Sequence, residues 1–105
     1  MSEPAQVLLI DDEPDFTELV ATMLSFHGFK VTVCNDPTRV TFLVTQHRFD
    51  VVVTDLMMPN LNGLMLIEQL RSQATYRETP MLVLSAKPLS DEERKFLLQH
   101  HVQFM

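Results

Sequence analysis

Residues 51–63 read VVVTDLMMPNLNG, a run of β-branched apolar residues that ends on a lone carboxylate, Asp55. Val51, Val52 and Val53 show no polar alternation, which is the pattern of a strand buried on both faces. Such strands belong to parallel sheets covered on both sides by helices. An acid at the end of one sits against a core that disfavours its ionised form. Asp55 therefore needs a reason to be there.

Upstream, Val7–Ile10 is a second continuous apolar run, followed at once by Asp11, Asp12 and Glu13. Pro14 suits the first turn of a helix, Phe16, Leu19, Val20, Met23 and Leu24 recur at helical spacing, and Gly28 offers a left-handed stop. Phe29–Cys34 reads as another strand, and Asp36-Pro37 opens a second helix with Val40, Leu43 and Val44 on its buried side. Downstream, Leu56–Asn62 reads as a loop, and Gly63 leads into a third helix with Leu66, Ile67 and Leu70 inward. Pro80 precedes a strand, Met81–Leu84. Ser90 and Glu93 stand at capping-box spacing before a helix over Asp91–His100, and Val102–Met105 begins a fifth strand.

This alternation predicts an α/β fold, a mostly parallel doubly wound sheet of about five strands with helices on both faces. Right-handed crossovers place the C-terminal ends of all strands on one edge, where open α/β sheets bind ligands. Asp11, Asp12, Asp55 and Ser85 should converge there. Three carboxylates so placed repel one another and resist ionising together. A hard divalent cation removes the conflict, and Mg²⁺ takes one or two carboxylates together with phosphate oxygens. A carboxylate also serves as a nucleophile toward phosphorus, a reaction governed by positioning and by neutralising the phosphoryl oxygens.

Bulk properties narrow the field. A chain of 105 residues has room for one domain with one core. Fourteen acids against eight Lys and Arg, with no basic run, argue against nucleic acid or an anionic membrane as direct partner. The single cysteine, Cys34, excludes an intrachain disulfide and reads as a small core side chain in a reducing compartment. The N-terminal MSEPAQVLLIDDE has neither a basic stretch nor a long apolar one, so a cytoplasmic location is expected. With only Gly28 and Gly63, no dinucleotide-binding glycine loop exists. Plainer readings compete at each site: acids near a helix N-terminus complement its dipole, and a serine at a strand end satisfies a backbone group. His100 and His101, being adjacent, do not face each other as zinc ligands, and no Cys or His pair stands at ligand spacing.

Taken together, IDDE (10–13), VVVTDLMMPNLNG (51–63) and LVLSA (82–86) resemble the receiver domain of two-component response regulators over essentially the whole chain. The resemblance implies a flavodoxin-like strand order 2-1-3-4-5, here ending in strand five without the fifth helix. Residues 1–105 would then be a receiver domain that looks truncated at its C-terminal end. It implies that Asp55 is the phosphoacceptor, served by a histidine kinase phosphohistidine or a phosphotransfer protein. Asp12 would ligate Mg²⁺ directly, Asp11 largely through water, and the Met57 backbone carbonyl would be a further ligand. Ser85 would be the switch hydroxyl and Phe104 the switch aromatic. The family's Lys-Pro pair after strand five does not occur before Met105; Lys87-Pro88 has the letters at a position the family leaves variable. A phosphohydrolase would want an acid two residues beyond its nucleophile, where this chain has Met57, so no enzyme is expected. The alternative is a degenerate receiver acting as a phosphorylation-independent interaction module, favoured by the absent lysine and opposed by the retained acids. Without a fifth helix, apolar area on strands one and five should be bared, leaving the chain either marginally folded or covering that face by self-association.

Overall fold

A computed structural model describes residues 3–58, 61–85 and 88–104, with Met57, Met58 and Leu61 described by their backbone alone. Five strands form one parallel sheet: β1 (Gln6–Ile10), β2 (Lys30–Cys34), β3 (Val51–Thr54), β4 (Met81–Val83) and β5 (Gln103–Phe104). Their spatial order is β2-β1-β3-β4-β5, as the resemblance implies. Parallel neighbours require crossovers, and helices α1 (Pro14–Phe26), α2 (Val40–Gln46), α3 (Gly63–Arg71) and α4 (Asp91–Gln99) lie in them.

The absence of polar alternation is explained by two cores. Leu8, Ile10 and Val52 point to one side, into a cluster with Val40, Val44, Leu66, Ile67, Leu70 and Leu97. Val7, Leu9 and Val53 point to the other, onto Val20, Ala21 and Leu24 of α1. Local signals set the ends of the elements. Pro14 opens α1, and Gly28 closes it at φ +89°, a conformation that suits glycine. The Asn62 side chain accepts from the Leu64 N–H at 2.9 Å at the start of α3. Ser90 and Glu93 complete their capping box at 3.1 and 2.8 Å.

The fold departs from expectation at several points. Phe16, Leu19 and Met23 share helical spacing but remain 38, 60 and 57% exposed. The apolar stripe of α1 is wider than its contact with the sheet, so these three fall on the adjoining flank while Thr17 takes a buried place. Strand one is not bared either: α1 covers Val7 and Leu9, and the half-buried apolar residues on this face outside α1 are Phe29, Val31, Val51, Leu82 and Leu84. Within the expected loop, Met57–Met58 pairs with Leu61–Asn62 as a small antiparallel hairpin, too short to show any periodicity. A 3₁₀ turn, Pro37–Arg39, precedes α2. The final strand is Gln103–Phe104, and Met105 lies outside the described residues.

Two side chains tie together the segments that enter the strands. The fully buried Tyr76 hydroxyl accepts from the Phe49 N–H at 3.3 Å and faces the Val44 and His47 carbonyls at 3.3 and 3.1 Å. Arg71 donates to the carbonyls of Tyr76, Thr79, His100 and His101 at 2.8, 2.6, 2.9 and 3.2 Å. Replacing Tyr76 with Phe leaves the Phe49 N–H buried without its acceptor, which costs about 1–3 kcal/mol. Urea unfolding of Tyr76→Phe should show a loss in this range with an unchanged slope; parental stability would mean that the hydroxyl carries no net weight.

Candidate functional site

The acids are placed by backbone pairing. Ile10 lies opposite Thr54 in the β1–β3 ladder. One residue further, the Asp55 N–H donates to the Ile10 carbonyl at 3.2 Å, and the Asp11 N–H donates to the Cys34 carbonyl at 3.1 Å. The ends of β2, β1 and β3 are thus in step, with Asp11 and Asp55 on adjacent strands. The Leu84 N–H donates to the Thr54 carbonyl at 3.0 Å, bringing Ser85 to the same edge. Carboxylate oxygens of Asp11, Asp12 and Asp55 lie within 4.8 Å of one another. A cleft of about 740 Å³ is lined by Asp11, Glu13, Asp15, Asp55 and Ser85 together with the apolar Phe16, Val20 and Leu84. The convergence expected of all four polar residues is present.

Other expected positions fall as follows. The Met57 backbone lies two residues beyond Asp55, in the small hairpin. Phe104 stands on β5 beside Val83, half-buried against the main core rather than lining the cleft. Lys87 lies outside the described residues. Cys34 is buried as expected, its thiol donating to the Asp36 carbonyl at 2.9 Å. His100 ends α4 with its ring stacked on Phe96, and His101 is exposed at φ +56°. Among the described residues, the acid trio is the one group of three or more side chains of metal-ligating type brought together.

Asp11 is 5% exposed. Burial pushes its carboxyl up from an ordinary 3.8 to about 6; a hydrogen bond from the Glu13 N–H opposes the rise, and the Asp55 and Asp12 carboxylates add to it. That N–H lies 3.0 Å from Asp11 Oδ1. The donor set fits a hard cation. It offers oxygen alone, and oxygens around an ion 2.0–2.1 Å away are at most about 4.2 Å apart, close to the span found here. A bound divalent cation would also counter the like charges that raise Asp11.

Gly63 has a second role beside opening α3. A Cβ at this position would lie 2.7 Å from the Leu56 Cα and 2.9 Å from the Asp55 carbonyl oxygen. Any side chain here would push against the peptide that follows the candidate nucleophile. The sequence shows only a glycine at a helix start, and nothing local announces the close approach. Gly63→Ala should destabilise the fold by about 1–3 kcal/mol and shift the Asp55 and Leu56 amide resonances. Unmoved resonances would show that the contact relaxes elsewhere.

Asp11 also predicts a pH dependence. Because its folded pKa exceeds the unfolded one, the native state holds the extra proton between about pH 4 and 6. Its contribution to stability is present below pH 4 and lost as pH rises through 6. Without divalent cations, Asp11→Asn should therefore be more stable than the parent at pH 7, with the advantage vanishing near pH 4. Parallel stability curves for the two proteins would contradict this.

Residues 7–104 match the family model described as the response regulator receiver domain. The probable transcriptional regulatory protein TcrX of Mycobacterium tuberculosis is 36% identical over 85 residues, covering 81% of this chain and 36% of that protein. The response regulator MprA of Mycobacterium sp. (strain KMS) is 39% identical over 84 residues, 80% of this chain and 36% of that protein. The chain therefore spans about a third of the length of these curated relatives. Among solved structures, the chemotaxis protein CheY4 of Vibrio cholerae superposes with a TM-score of 0.87 at 27% identity, covering 96% of this chain and 83% of that one. The Francisella response regulator 1452 receiver domain gives 0.83 at 29% identity, with 96% and 82% covered. No helix among the described residues is long and apolar enough to cross a membrane. The sheet order, the acid cluster at its edge and the match over residues 7–104 agree: this chain belongs to the response regulator receiver domain family, signalling modules of two-component systems and not classical enzymes.

Proposed function

We propose that this chain is a phosphorelay switch in which Asp55 accepts a phosphoryl group from a phosphohistidine. A receiver domain implies a histidine kinase as partner; the finer reading is that the donor is that kinase or an intermediate phosphotransfer protein. The supporting observation is the meeting of Asp11, Asp12 and Asp55 within 4.8 Å at a cleft that also holds Ser85. An Asp55 oxygen forms the new bond to phosphorus as the P–N bond to the donor imidazole breaks, and the imidazole leaves with a proton. Mg²⁺, when bound, would supply charge neutralisation at the phosphoryl oxygens. Asp12, Asp55 and the Met57 carbonyl would hold the ion directly, and Asp11 would do so largely through water. Ser85 donates its hydroxyl to a phosphoryl oxygen, and Phe104 on β5 responds as the switch aromatic. Residues 1–105 act as a single receiver unit in the cytoplasm, and the net charge of -6 disfavours direct contact with nucleic acid.

Acetyl phosphate tests this reading in the full-length protein. With Mg²⁺ present, mass spectrometry should show the gain of one hydroxylamine-sensitive phosphoryl group, absent after chelation and absent in Asp55→Asn. A label that persists in Asp55→Asn would move the acceptor elsewhere. No label on a folded protein would favour the phosphorylation-independent interaction module instead.

A further inference from the structure

We infer that Asn35 is a positioning residue for the cation site, holding the turn that carries Asp11 and Asp12; this rests on the metal reading above. Asn35 directly follows β2 and belongs to neither strand that ends in an acid. Its single amide nitrogen donates to the Asp11 main-chain carbonyl and to the Thr17 hydroxyl, both at 2.9 Å. Although Asn35 as a residue is exposed, Asp11 and Thr17 are buried. One side chain thus grips both ends of the segment 11–17, between which Asp12 and Glu13 sit.

The rest of the turn is built to receive this grip. The Thr17 hydroxyl donates in turn to the Pro14 carbonyl at 3.0 Å, which closes a chain of bonds from Asp11 through Asn35 into the first turn of α1. A hydroxyl on the buried face of a helix is costly unless bonded, and here both of its roles are filled. Only an amide serves in this place. An aspartate would turn lone pairs toward the Asp11 carbonyl, and a serine has one donor where two acceptors wait. The load on the turn is electrostatic. Like charges on Asp11, Asp12 and Asp55 push the turn away from β3, and the Asn35 amide opposes that displacement. Ligand geometry is set by such outer contacts, whose loss typically weakens metal binding about 10–100-fold.

Mg²⁺ titrations followed by the amide resonances of Asp12 and Glu13 on the otherwise intact protein separate this role from a purely structural one. Asn35→Ala should bind Mg²⁺ about tenfold more weakly, and without metal its Glu13 amide should exchange with solvent faster. Thr17→Ser keeps the hydroxyl and should keep parental affinity. Tyr76→Phe serves as a control that lowers stability far from the site, and its Mg²⁺ affinity should not change. Parental affinity in Asn35→Ala, or an equal weakening in Tyr76→Phe, overturns the assignment of Asn35 alone. A parent protein with no saturable Mg²⁺ response overturns the cation site and this role with it.

Discussion

One ladder bond, from the Asp55 N–H to the Ile10 carbonyl at 3.2 Å, fixes where the charges of the site lie. It continues the β1–β3 register, which is enforced from both faces of the sheet. A slip of one residue would move Val52 and Val53 to the wrong cores. Fully burying an aliphatic side chain contributes about 1.5–3 kcal/mol, and Val7, Leu8, Leu9, Ile10, Val52 and Val53 are all buried here. Two like charges 4 Å apart near a protein surface oppose one another by about 4 kcal/mol. Packing therefore wins over repulsion, and the acids stay where the strands put them. The raised pKa of Asp11 comes first from its burial and then from the neighbouring carboxylates that the strands hold beside it.

The opposite edge of the sheet is organised by other means. Parallel strands begin there, and their incoming segments carry carbonyls that no ladder satisfies. Tyr76 and Arg71 collect them: the first joins the end of α2 to the start of β3, the second joins the segments before β4 and β5. Burial lowers the Arg71 pKa, and the guanidinium is solvated by carbonyl dipoles instead of a carboxylate. A lysine could not replace it, because a single ammonium cannot span carbonyls from two separate segments as a planar fork does. At this edge Asp50 also accepts from the Gln6 N–H at 2.7 Å, so the strand entries are cross-braced by carbonyls and by one carboxylate.

The parts legible in sequence were those with a repeated or chemically distinctive signal. Val51–Val53 announced a strand buried on both faces, Ser90 and Glu93 announced a capping box, and acids after two apolar runs announced an edge. What stayed hidden depended on contacts between distant residues. The glycine at 63 looks the same whether or not a backbone passes 2.7 Å from its missing Cβ. Asn35 and Thr17 are ordinary polar residues until the fold brings them within 2.9 Å. The α1 stripe misled for another reason. Periodicity identifies a helix, but it does not say how much of an apolar face the sheet will cover, and Leu19 and Met23 lie beyond that cover.

That uncovered flank bears on the acids through physics rather than proximity in sequence. Phe16 belongs both to the exposed stripe of α1 and to the lining of the cleft that holds Asp11, Asp55 and Ser85. Val20 and Leu84 extend the apolar lining of the same cleft. Water that would screen the carboxylates is excluded wherever the lining is apolar, so their field is felt at a lower effective dielectric than on an open acidic surface. The same exclusion penalises the ionised form of Asp11 and strengthens the attraction of the cleft's acids for a cation. Apolar and acidic linings therefore act together: one withholds solvent, the other supplies oxygen ligands, and both suit the group of Asp11, Asp12 and Asp55 to a hard cation.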